Sequence, residues 1–337
     1  MSRQSTATHR VLTLAGAAAI ALTLAACSSS GSDSGSASGS GSGQVTDITV
    51  GSAPSLAGLG LQVAISQVPA CKDNLNVTST VNKSANDSVP QLLSGGLQVA
   101  QMDTITFLQA QSQGLPVQII AANAEQSTDG EPGQLSSASV VTTNPAITAP
   151  ADLAGKKVGV PAIKTQTWMN IRAIVDADGG DSAQIEFVEV PSAQMIDLLK
   201  QGNVDASTPN EPLASGTIAS GAVKLVHNTD VPGNKGVPSS VYVAAKDFIA
   251  QNPDAIKTFV TCVQEAGKAV NGNPELAAKV AQNQLGYKPE QLTNAFYPIF
   301  GTDAITPAEI DKLSALAVKY EILTAQPNAT DVLAGTE

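Results

Sequence analysis

The sequence predicts an α/β protein of two similarly built lobes that ends in a helical part. Three observations predict it. Between Asp152 and Pro212 the chain alternates strand, loop and helix; a shorter version of that plan runs from Ile48 to Ala100; and after Ala244 the apolar residues recur at helical spacing.

The central stretch carries the clearest signals. Val158 and Val160 alternate with other residues over Lys156–Val160, and Pro161 stops this strand. Thr165 or Thr167 can cap the next helix, whose apolar positions are Trp168, Ile171, Ile174 and Val175. Gly179 and Gly180 end it, and Glu186–Val190 reads as a second strand. Ser192 can cap a helix carrying Met195, Ile196, Leu198 and Leu199, with Gly202 as its stop. Val204–Ala206 and then Asn210–Pro212 follow. Loops of this order open at the carboxyl edge of a sheet, where ligands bind in open parallel sheets.

From its start the chain reads as an address, a tether and a folded part. Residues 1–26 carry Arg3 and Arg10 before an apolar run, Val11–Ala26, that is shorter than the roughly 20 residues of a spanning helix. Leu24–Cys27 resembles the lipobox of bacterial lipoprotein signal peptides, which implies cleavage before Cys27 and a lipid on its sulfur. Residues 27–44 continue as a Ser/Gly tether that buries too little apolar surface to order itself. Its span as a flexible coil is about 20 Å. About 294 residues remain, enough for two domains. Without Arg3 and Arg10, Lys+Arg falls from 18 to 16 against 29 acidic residues, so the exported part carries a charge near −13. That balance excludes nucleic acid as a partner and argues against docking on anionic lipid.

The folded part begins with a strand at Ile48–Val50, a loop Gly51–Ser55, and a helix through Leu56, Leu59 and Val63. A strand near Leu75–Thr80, a short helix with Leu92 and Leu93, and Leu97–Ala100 come next. The loop Met102–Thr104 precedes a helix from Ile105 to Gln113; Val117–Ala121 is a strand, Asn123 stands just beyond it, and Glu125–Leu135 is a polar loop. Val50 and Gly51 answer Val158 and Gly159, and Gln98 answers Asp205, as in two lobes of similar build. In the last third Ile256, Phe259, Val260, Val263 and Val270 mark an amphipathic helix. Pro274–Leu285 and Glu290–Phe300 read as two more helices. A final one has Thr306 as N-cap, Pro307 in its first turn and Glu309 completing a capping box.

Asp152–Pro161, Leu199–Gly202 with Val204–Ala206, Glu211 with Pro212, Ala245–Phe248, and Asn252 with Pro253 carry a family resemblance. In that order they resemble solute-binding proteins of the nitrate, taurine and alkanesulfonate import family, which also includes binders of thiamin-pyrimidine precursors. The resemblance spans roughly residues 45 to 320. It implies a periplasmic-binding-protein-like fold of type II, with a cleft between lobes and chain crossings near Val140–Asn144 and Val237–Val241. Lobe one is then 45–142 plus 238–337, and lobe two 143–237. It further implies a monomer at the outer face of the bacterial cytoplasmic membrane, held there by the lipid on Cys27. There it hands a small-molecule ligand to an ABC permease driven by a cytoplasmic ATPase. Gln98 departs from the family's usual Asp, which Asp205 keeps.

Helix N-termini offer unpaired N–H groups and partial positive charge. Two such ends are expected at the cleft, near Pro54 and Ser55 and near Thr165, Gln166, Thr167 and Trp168, with the hydroxyl of Ser52 beside the first. Met102, Asp103, Thr104, Asn123, Asn210 and Glu211 complete the expected ligand-binding set. Each hydroxyl can equally serve as a cap, Trp168 can equally pack in the core, and Asp103 and Glu211 can equally pair with lysines. Arg172 reads as a solvated helix face rather than an anion ligand. Family frequency favours a sulfonate, taurine or nitrate ligand, whereas the two carboxylates favour a neutral or nitrogen-rich heterocycle. A ligand sensor is the other role open to such a protein. No enzyme, cofactor or metal is expected, because His227 is the only histidine after the signal and the cysteines lack metal-ligand spacing. Cys71 and Cys262 read equally as a disulfide or as two buried thiols.

Overall fold

The computed structural model describes residues 45–335 except 74, 83 and 84. The expected signal peptide, Cys27 and the tether lie outside the described residues. Eleven strands are described: β1 Thr46–Ser52, β2 Leu75–Val81, β3 Val99–Asp103, β4 Val117–Glu125, β5 Ser139–Thr142, β6 Lys157–Val160, β7 Glu186–Glu189, β8 Ala206–Ser207, β9 Lys224–Asn228, β10 Pro238–Ala245 and β11 Ile299–Phe300.

They form two sheets, in the orders β2-β1-β3-β10-β4-β11 and β7-β6-β8-β5-β9. The two repeat one plan. In each, a first strand pairs in parallel with its two neighbours, β1 with β2 and β3, and β6 with β7 and β8. An antiparallel strand then follows, β10 in one sheet and β5 in the other. The matched turns carry the same hydrogen bonds. Thr49 N donates to Gln98 Oε1 at 2.9 Å in the first, and Lys157 N to Asp205 Oδ2 at 2.9 Å in the second. Gln98 therefore fills the post of the expected Asp, because either side chain supplies the one oxygen that the strand N–H needs.

The changes of sheet occupy 126–138 and 229–237. This corrects the crossing expected near Val140–Asn144: Ser139–Thr142 pairs with β8 and β9, so it belongs to the second sheet. Its four residues are all buried and paired on both sides, a setting that a short apolar run alone does not disclose.

Helices cover the sheets. Leu59–Gln67 packs on Pro253–Val270, whose buried positions Ile256, Phe259, Val260, Val263, Ala266 and Val270 recur at helical spacing. Cys71 and Cys262 are bonded there, with Cα atoms 5.5 Å apart, and Cys262 is fully buried. Pro307–Lys319 opens with Thr306 N donating to Glu309 Oε2 at 2.6 Å. It packs against both Thr104–Ser112, which follows β3, and Gln166–Ala177, which follows β6.

The helix expected over Glu290–Phe300 is confined to Pro289–Leu292. Pro298 lacks an N–H and turns the preceding residue away from helix. Ile299 and Phe300 instead extend the first sheet along β4. Asn271 fixes them, accepting from Phe300 N at 2.9 Å and donating to Phe300 O at 2.8 Å. The Phe300 ring lies so close to Gly60 that a Cβ there would meet it at 2.6 Å.

Candidate functional site

A cavity of about 170 Å³ lies between the two sheets. Ser55, Ala57, Asp103, Ala124, Ser239 and Ser240 line it from the first sheet's side. Gln166, Thr167, Asn170, Asn210 and Glu211 line it from the second's. Ser137, Ala138, Thr229 and Asp230, on the two changes of sheet, and Pro298 complete the wall. Its volume falls below the roughly 300–1,000 Å³ of drug-sized pockets, so it suits a small solute. A larger cavity of about 470 Å³ lies elsewhere, among Ile119, Val260, Ile305 and Leu333. Its walls are mostly apolar, and none of the expected site residues lines it.

The polar lining is partly unsatisfied. Buried Gln166 has neither end of its amide hydrogen-bonded among the described residues, and Asn170 Oδ1, Ser137 Oγ and Glu211 Oε1 likewise lack partners there. Buried polar atoms are nearly always paired, with protein or with ordered water, so these atoms are open to water or to a solute in the cavity. The other Glu211 oxygen accepts from Ser215 Oγ at 2.5 Å. Burial pushes the Glu211 carboxyl up to about 7, against the hydrogen bond from Ser215.

Asp103 ties the two sides together. Its Oδ1 accepts from Thr106 N at 2.9 Å, capping Thr104–Ser112, and from Gln166 N at 3.1 Å, at the start of Gln166–Ala177. Burial raises its carboxyl above the usual range despite these bonds. Nearby, Gln109 Nε2 donates to Lys164 O at 2.8 Å, a second link across. On the return, Asp230 Oδ2 accepts from the N–H and hydroxyl of both Ser127 and Thr128, at 2.8 to 3.2 Å. This clamps the two changes of sheet to each other. Burial raises its carboxyl too.

Of the residues expected at the site, Ser55, Asp103, Gln166, Thr167, Asn210 and Glu211 line the cavity. Asn123 stands behind the wall, donating to Ala57 O at 3.2 Å and to Ser240 Oγ at 2.8 Å. Others lie away from it. Ser52 is buried against Ser79 with their hydroxyls 2.9 Å apart, Pro54 is exposed, and Met102 is core. The hydroxyl of buried Thr104 donates to Pro238 O at 2.8 Å, and that of Thr165 to Ala162 O at 2.9 Å.

Trp168 is also a correction. It is 7% exposed, its ring lies 5.5 Å from that of Phe187, and it does not line the cavity. Arg172 is not the simple solvated face that was expected. Its guanidinium stacks between Trp168 and Tyr320, 5.0 and 4.9 Å from the ring centres.

Asn170, Asp230, Ser137, Thr229, Ser239 and Ser240 were not expected. Asn170 could have been found, because it falls one helical turn after Gln166 on the same face. The others sit on the changes of sheet or just past the second, where no periodic pattern marks them.

Comparison with known proteins adds the family. A family model described as NMT1/THI5 like matches residues 72–277, more than half of the chain. The taurine-binding periplasmic protein of Escherichia coli K12 is 24% identical over 196 residues, 58% of this chain and 58% of its own length. The chain thus aligns with well under two thirds of that relative. Among solved structures, the periplasmic aliphatic sulphonate binding protein SsuA from Escherichia coli aligns with a TM-score of 0.69 at 15% identity, over 86% of this chain and 98% of that one. The periplasmic nitrate-binding protein NrtA from Synechocystis PCC 6803 aligns with a TM-score of 0.61 at 18% identity, over 85% and 84%. The fold is that of the periplasmic binding proteins, and the chain belongs to the NMT1/THI5-like family.

Proposed function

We propose that the protein is the extracytoplasmic solute-binding component of an ABC importer, capturing a small organic solute in the cavity between the sheets. It is a binding protein and not an enzyme. One lobe is built from 45–125 and 238–335, the other from 139–228, and the two changes of sheet are the hinge. Closing the lobes on solute creates the surface that a permease reads. The taurine, sulphonate and nitrate named for its relatives support a solute of that size.

The observation that carries this reading is the set of buried, unpartnered polar atoms on Gln166, Asn170, Ser137 and Glu211 around one cavity. A solute that bonded them would remove their desolvation cost on closure. Among the described residues no helix is long and apolar enough to cross a membrane. Attachment is assigned to a lipid on Cys27: a mass measurement of the membrane-extracted protein should find Cys27 as its first residue with acyl chains added, and an unmodified Cys27 would contradict that anchor.

A melting screen of the protein against a broad solute library tests the reading. A solute at 100 times its dissociation constant adds about 2.7 kcal/mol of stability. The shift should shrink in Gln166→Ala and Asn170→Ala. Silence across the library, or a shift indifferent to both changes, contradicts it.

A further inference from the structure

The ionisable groups that line the cavity are all acidic. They are Asp103, Glu211 and Asp230, and no Lys, Arg or His lines it among the described residues. An anion entering would meet three carboxyl groups without a countercharge. Of the N–H groups at the start of Gln166–Ala177 that could have offset this, the one on Gln166 is already engaged, donating to Asp103 at 3.1 Å. An internal carboxylate thus occupies a backbone donor at the N-terminus that would draw an anion.

A second, independent observation says what is wanted instead. Glu211 is 5% exposed and lines the cavity, and its Oε1 has no donor among the described residues. Asn170, 3% exposed, leaves Oδ1 equally without one, and Gln166, 4% exposed, leaves both ends of its amide free. These sites are chiefly acceptors awaiting N–H groups. The Asp230 carboxylate takes its four hydrogen bonds on Oδ2 alone, while the residue lines the same wall.

Resting on the reading of this cavity as the solute site, we propose that the bound solute presents a protonated amine or amidinium to Glu211, with Asn170 and Gln166 accepting its remaining N–H groups. A buried carboxylate is costly unless paired, and a cation seated on Oε1 supplies the pair. Burial has already raised the carboxyls of Glu211, Asp103 and Asp230, and a cation reverses that trend by favouring their charged forms. A solute that also carries an acid group is admitted only where that group lies away from the three carboxyls.

Matched probes that differ in the nitrogen group test this by calorimetry on the intact protein: taurine against ethanesulfonate, benzamidine against benzoate, and putrescine as a purely cationic solute. The expected result is binding by an amine- or amidine-bearing probe at least tenfold tighter than by its nitrogen-free partner. Glu211→Gln should weaken that binding tenfold or more. Ethanesulfonate or benzoate binding as tightly as its partner, with no loss in Glu211→Gln but a loss in Asn170→Ala, overturns the cationic assignment and leaves the site in place. Silence from all five probes counts against both.

Discussion

Asp103 Oδ1 accepts from Gln166 N at 3.1 Å, so one carboxylate from the first sheet's edge caps a helix that covers the second. The same oxygen caps its own helix through Thr106 N at 2.9 Å. Asp103→Ala should therefore cost about 1–2 kcal/mol of stability, read by denaturant unfolding. Asp103→Asn keeps an oxygen that can accept both bonds and should lose much less. Equal losses from the two changes would show that charge, rather than capping, is what the position supplies.

Glu211 gives a pH signature. Its carboxyl is raised from 4.5 to about 7 in the folded protein, so folding favours the protonated form. That contribution is fully present below about pH 4.5 and is lost as pH rises towards 7. In the solute-free protein, Glu211→Gln should be more stable than the parent near pH 8, by on the order of 3 kcal/mol at most. The difference should close by pH 4. A variant less stable than the parent at pH 8 would mean that the carboxylate is paired in the folded state.

The bond between Cys71 and Cys262 closes a long stretch, with a sequence separation of 191 residues. Replacing both by Ala should lower stability by about 2–5 kcal/mol. Thiol titration of the denatured, unreduced protein should find neither residue free. Reaction of both would contradict the pairing.

Tyr320 joins the last long helix to the one that begins at the cavity. Its hydroxyl donates to Asp176 Oδ2 at 2.8 Å, and Lys319 Nζ lies 3.3 Å from the same oxygen. Burial works against the Asp176 carboxylate, but bonds from Ser182, Tyr320 and Lys319 prevail and hold its pKa below the usual range. Tyr320→Phe should cost about 1 kcal/mol, and melting curves that overlay the parent's would refute the link.

The parts of the fold legible in the sequence were those with strong periodicity or punctuation. Pro274–Leu285 is bounded by a proline and Gly286, and Thr306, Pro307 and Glu309 mark the last long helix. The pairing of Gln98 with Asp205 was legible because each follows a glycine-ended helix and precedes a strand. What failed was long-range. Ser139–Thr142 and Ile299–Phe300 are strands because of the neighbours they pair with, and those lie far off in sequence. At the site, Glu211 was legible as a carboxyl on a loop beyond a strand, whereas Asp103, expected on a loop, ends β3 itself and caps the helix that follows directly. The helix-end amides were expected to hold solute, yet Asp103 takes the one on Gln166. Trp168 sits on the core side of its helix with Ile171, Ile174 and Val175, as their helical spacing indicated, and its place near the helix start misled.

The most direct measurement is a crystal structure of the protein grown with a solute that raises its melting temperature. The account predicts that solute between the sheets, within hydrogen-bond reach of Glu211 Oε1, Asn170 Oδ1 and the Gln166 amide. A solute seated instead in the cavity beside Ile119, Ile305 and Leu333, with the Glu211 site closed, would contradict it.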